Sequence, residues 1–211
     1  MRTNTRSNRM FLVLSILLSA AVVGCGDDDD DADEADIQAA LDAGGAFGDT
    51  VAAQAELELA TVDQLTATAR VGSIMHTIND GEIMQAQAVF DITDNDDAED
   101  YAQQMIEEHT GANADLDAML VALAIAPQEN SVSAALRAEA QRSIAGLERS
   151  TSDRAARSYL LTQVQMHEGA YVLVSSMIDL GVQTSLDQMM IDMLPVIADH
   201  RDHAAELVRD M

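Results

Sequence analysis

From about Val62 onward, apolar residues recur in steps that alternate between three and four. The first series reads Val71, Met75, Ile78, Glu82, Gln85, Val89 and Ile92. The second reads Ala102, Met105, His109, Ala112, Leu116, Met119 and Leu123. A third runs Leu160, Val164, His167, Tyr171, Val174 and Ile178, and a fourth Leu186, Met190, Met193, Ile197, His200, Ala204 and Leu207. Such alternation is the apolar stripe of a helix that packs against others. It predicts helix A over roughly 62–92, B over 97–124, C from the Ser150-Thr151-Ser152-Asp153 cap to about Leu180, and D over 185–209. A short amphipathic helix over 132–148 lies between B and C, beyond Pro127. The turn Asp94-Asn95-Asp96-Asp97 supplies N-caps, Gly181 is suited to the position after helix C, and Pro195 predicts a kink in D. With short A–B and C–D turns, residues 62–211 are expected to form an all-α four-helix bundle with an extra short helix in the B–C connection.

Ahead of the bundle the pattern changes. Residues 35–60 are Ala-rich, but Gly44-Gly45 and Gly48 interrupt them, so residues 25–61 are expected to form an acidic tether and a weakly structured lead-in. Asp27 to Asp31 begin that tether as a self-repelling run.

Residues 1–24 read as an address. Arg2, Arg6 and Arg9 precede an apolar stretch from Phe11 to Val23, too short to span a bilayer. The segment ends Val22-Val23-Gly24-Cys25, which resembles the lipobox of bacterial lipoprotein signal peptides, and the only Cys of the chain falls where that motif needs it. The resemblance implies acylation of Cys25, a membrane anchored through it, and a place in the cell envelope. Gly26 after the Cys directs the expectation to the outer membrane, facing the periplasm.

Composition narrows the partners. A net charge of −26, from 37 acidic residues against 11 basic ones, repels phosphate and excludes nucleic acid. A single Cys excludes a disulfide framework. Three per cent aromatics and two Pro favour helix over sheet.

Each predicted long helix breaks its apolar seam with one ionisable residue: Glu82, His109, His167 and His200. Glu82 and His109 stand at nearly equal distances from the A–B turn. His167 and His200 do the same about the C–D turn, so each pair should face across its antiparallel interface. Whether both pairs share one layer depends on the long B–C connection. A carboxylate and three imidazoles in a dry core must be paired or must ligate something. The set suits a single Zn, Cu or Fe ion, and Met105, Met166 and Met193 nearby would shift the preference towards Cu(I). The alternative is a core hydrogen-bond network with no metal. His76 falls off the seam, and His203 lies one turn beyond His200; both are expected at the surface.

From Val71 to Leu207 the chain resembles the bacterial envelope domain-of-unknown-function family 4142. The resemblance rests on Gly81-Glu82-Ile83, on Ala102-Gln103-Gln104-Met105 leading to His109, on Tyr159 leading to Gln163-Val164 and His167, and on Leu194-Pro195 leading to His200 and Ala204. It implies a ferritin-like fold and an envelope location, and it supplies no activity. Di-iron bundles use Glu-x-x-His pairs. Here Ile106, Val164 and Ile197 stand three residues before the seam histidines, so the spacing supports a mononuclear site.

No phosphate loop, nucleophile elbow or HExxH pair is present, and nothing nominates a catalytic nucleophile. Two readings follow: a lipid-anchored envelope bundle that binds one metal ion, or a non-catalytic scaffold whose Glu and His residues stabilise the core.

Overall fold

The computed structural model describes residues 30–181 and 184–211. The proposed signal segment, Cys25 and Asp27 to Asp29 lie outside the described residues. Six helices, with no strand, make up the described chain: α1 (Asp30–Leu59), α2 (Gln64–Phe90), α3 (Asp96–Ala122), α4 (Ser131–Leu147), α5 (Ser152–Asp179) and α6 (Thr184–Arg209). The all-α expectation holds, and α2 to α6 begin and end within about two residues of where the apolar pattern puts them.

Local chemistry sets the boundaries. The Asp63 side chain accepts from the Thr66 backbone N–H at the start of α2, and Asn95 accepts from Ala98 at the start of α3. Asn130 and Ser133 form a reciprocal capping box on α4. The expected Ser/Thr/Asp cap of α5 is weaker than its composition suggests, because the N-cap Thr151 makes no side-chain capping bond. Gly181 follows α5 at φ 59°, the left-handed position that glycine adopts without strain. The end of α3 uses Ala124 in the same conformation, at φ 55°. There the Ala124 N–H donates to the Val121 carbonyl at 3.0 Å and the Ile125 N–H to that of Leu120 at 2.9 Å, closing the last carbonyls of the helix.

The lead-in is the main departure from expectation. It is a continuous 30-residue helix, α1, packed along α5. Two of the three glycines read as interruptions, Gly44 and Gly48, lie on its contact surface with α5. A Cβ at Gly44 would lie 2.2 Å from the Gln165 carbonyl oxygen, and one at Gly48 would lie 2.7 Å from Val172 Cβ. Gly169 on α5 returns the fit, since its own Cβ would meet the Gly44 oxygen at 3.1 Å. Side chains here would hold the two helices apart, so tertiary packing overrides the helix cost of glycine. At the N-terminal end, Arg157 pairs with Asp33 and with Asp36 (3.0 Å), and Arg209 with Glu34 (2.9 Å), tying α1 to α5 and α6.

Elsewhere α5 packs against α6, and α2 against α3 and α4. Two apolar clusters fill the interior. One gathers Val51, Val71, Ile74, Leu120, Leu173 and Met190 with their neighbours. The other gathers Ile37, Val89, Tyr101, Met105, Leu160 and Val208. On each of α2, α3, α5 and α6, the gap between the clusters is where the seam ionisable residue sits. Among the described residues, no helix is long and apolar enough to cross a membrane.

Candidate metal centre

Glu82, His109, His167 and His200 come from α2, α3, α5 and α6, and all four are buried, at 1%, 7%, 2% and 4% exposure. The three histidines converge. Each offers a ring nitrogen within 4.8 Å of the others, and their ring centroids lie 5.2 to 5.9 Å apart. The two helix pairs therefore share one layer. The 4.8 Å set closes without Glu82, which stands beside it and couples electrostatically to His200.

The tautomer of each ring follows from an acceptor on one side. His109 Nδ1 donates to Asn79 Oδ1 at 3.0 Å. Asn79 Nδ2 donates in turn to Asn113 Oδ1 (2.8 Å), and Asn113 Nδ2 to the Asp80 carboxylate (2.9 Å), so an obligate acceptor sets the direction of the whole chain. His167 Nδ1 donates to the Gln163 carbonyl at 2.9 Å, one turn back on α5. His200 Nε2 donates to the Glu108 carboxylate at 2.8 Å. Each ring is left with a lone pair on its other nitrogen. Those nitrogens, His109 Nε2, His167 Nε2 and His200 Nδ1, are buried and have no partner. An outer acceptor on one nitrogen and a bare lone pair on the other is how ligating histidines are held.

Burial dominates the electrostatics. It pushes the His167 pKa down to about 4, against the pull of the Gln163 carbonyl, and the Arg201 charge adds to the fall. Burial, then His167 and His200, hold His109 well below its ordinary value. Burial and His167 lower His200 too, although Glu108 works the other way. All three imidazoles are neutral at pH 7, the form that ligates. Burial pushes Glu82 up to about 7, opposed by a hydrogen bond from Gln163 and by His200. Glu108 is raised by burial, but hydrogen bonds from Gln104 and His200 outweigh this and leave it below its ordinary value.

The thioethers stand differently. Met105 packs in an apolar cluster, and Met166 Sδ accepts from Gln85 Nε2 at 2.6 Å. His76 is partly exposed and bonds Asp117 at 3.0 Å. His203 is exposed and lies edge-on to Tyr101, with centroids 5.4 Å apart.

A family model matches residues 50–207. The chain belongs to the domain of unknown function (DUF4142) family. The DUF4142 match opens inside α1 and closes inside α6, so it contains Glu82 and all three histidines together with their outer partners. No curated protein and no solved structure matches the chain.

Sequence reasoning missed those outer partners. Asn79 carried no signal, since it stands among other polar residues, His76, Thr77, Asp80 and Glu82. Glu108 carried none, because it neighbours His109 in sequence yet serves a histidine on another helix. Gln163 acts on His167 through its backbone carbonyl, which no side-chain pattern reveals.

Proposed function

We propose that this protein is a metal-binding helical bundle, held at a bacterial envelope membrane through acylated Cys25, with one ion bound by His109, His167 and His200. The observation that carries the reading is the convergence of three unpartnered, tautomer-set nitrogens in a dry layer between two apolar clusters. A purely structural network would pair these atoms with one another, since each buried polar atom left alone costs about 1–3 kcal/mol. Three neutral imidazoles suit Zn²⁺, Cu²⁺ or Fe²⁺. Zn–N bonds of about 2.0–2.1 Å bring tetrahedral nitrogens to about 3.3 Å from one another. From spacings within 4.8 Å that is a small side-chain adjustment. The four contributing helices make a ferritin-like core in this reading, with α1 and α4 as additions. The absence of Glu-x-x-His pairs keeps the site mononuclear.

The test is elemental analysis of full-length protein purified without a His-tag or chelator. One equivalent of metal is expected, lost in His109→Ala, His167→Ala and His200→Ala alike. Added Zn²⁺ should raise the wild-type melting temperature by mass action. Protein that takes up no divalent ion near micromolar concentration would overturn the reading. Anchoring is tested separately: Cys25→Ser should move the protein from the membrane to the soluble envelope fraction.

A further inference from the structure

Once an ion takes the three histidine nitrogens, its positive charge keeps Glu82 as the carboxylate, and two buried acceptors in the same layer still lack a donor: Glu82 Oε2 and Gln163 Oε1. Both residues are at most 1% exposed. They are neighbours, close enough for the Gln163 amide to temper the effect of burial on the Glu82 carboxyl. Gln163 Nε2 donates to Gln85 Oε1 at 2.9 Å, which leaves Gln163 Oε1 bare. A metal ion answers neither acceptor in place, because the ligating set closes without Glu82.

One small molecule meets all three demands. We propose that the ion on His109, His167 and His200 carries a water molecule in its fourth position, whose two hydrogens are donated to Glu82 Oε2 and Gln163 Oε1. The lone pair of the water faces the metal, and its O–H bonds answer both acceptors. The inference rests on the three-histidine reading and changes its meaning. A site closed by four protein ligands is structural, whereas three protein ligands and a water leave an exchangeable position. That position would accept water, or a small anion of a few atoms in its place. Glu82 is then a positioning residue for the bound molecule and not a ligand.

Co²⁺ loading of the full chain, followed by azide titration, tests this. Co²⁺ should bind at one equivalent with visible d–d absorption, and azide should shift those bands saturably. Glu82→Gln should keep the Co²⁺ stoichiometry, with affinity reduced by no more than about 10–100-fold, the range for outer-sphere changes. Wild-type protein that binds Co²⁺ but shows no azide response overturns the open position while leaving the three-histidine site intact. Loss of Co²⁺ from a folded Glu82→Gln variant makes Glu82 a ligand and overturns the proposal likewise. Wild-type protein that binds no Co²⁺ removes the parent reading and this inference with it.

Discussion

His200 presents Nε2 to the Glu108 carboxylate at 2.8 Å, while its Nδ1 is buried and unpartnered. The exposed side of the ring is thus tied to a carboxylate that reaches water, since the Glu108 side chain is 45% exposed. The carboxylate sets the tautomer and makes the inner nitrogen a better donor to a cation. Glu108→Ala should weaken metal binding by about 10–100-fold. The same change should alter metal-free stability by less than about 1 kcal/mol, as expected of a pair with one solvent-exposed member. Competition titrations with a chelator, alongside urea melts, check both halves. Unchanged affinity would remove Glu108 from the site.

The metal-free protein should show a stability profile set by opposing groups. His167 has a folded pKa of about 4 against an ordinary 6.5, so the folded state binds fewer protons between those values. Its contribution is fully present above about pH 6.5 and is lost as pH falls through about 4; the shift corresponds to about 3 kcal/mol. His109 and His200 shift in the same direction. Glu82 has the opposite sign. Its pKa is raised from 4.5 to about 7, so its contribution is present below about 4.5 and lost as pH rises through about 7. Three histidines outweigh one carboxyl, and stability should climb from pH 4 to 6.5. Glu82→Gln should then be more stable than wild type at pH 8 and nearly equal to it at pH 4. Urea unfolding of chelator-treated protein decides this, and a Glu82→Gln variant weaker than wild type at pH 8 would refute it.

Two adjacent glycines on α1 should respond in opposite ways. At Gly44 an added Cβ meets the Gln165 carbonyl oxygen at 2.2 Å, which is backbone and cannot swing aside. Gly44→Ala should therefore cost about 1–3 kcal/mol or more, as overpacking does. At Gly45 nothing lies within 4 Å of the added atom. Gly45→Ala should stabilise by about 0.4–1 kcal/mol through helix propensity and a less flexible unfolded chain. Thermal melts of the pair settle whether α1 is docked on α5. Equal effects of the same sign would count against it.

Ala124 occupies a left-handed position at the end of α3 that favours glycine. Ala124→Gly should relieve part of the roughly 1–2 kcal/mol strain of that conformation, offset by glycine's greater freedom in the unfolded chain. A net gain of about 0.5–1 kcal/mol is expected in urea titrations. A loss would mean that the strain is already relieved by the contacts of the turn.

The apolar periodicity by itself determined α2 to α6, because each helix must show its neighbours a continuous stripe and a stripe is written in three- and four-residue steps. It also determined which four ionisable residues interrupt those stripes. Antiparallel pairing at 1.5 Å per residue predicted Glu82 level with His109, and His167 level with His200; in the structure the α2 residue that meets His109 is Asn79, and Glu82 couples to His200. What only the tertiary structure decided was the alignment of those pairs into one layer. The course of the chain through α4 sets that alignment, and no local pattern encodes it. The same holds for α1. Gly44 and Gly48 cost helix stability when judged locally, and their compensation lies on α5, more than a hundred residues away. The chemistry of the centre divides the same way. Residue type made His109, His167 and His200 candidates, but which nitrogen of each is free depends on Asn79, the Gln163 carbonyl and Glu108. Hydrogen bonds between helices, and through the backbone, have no period along the chain and exist only once the helices have met.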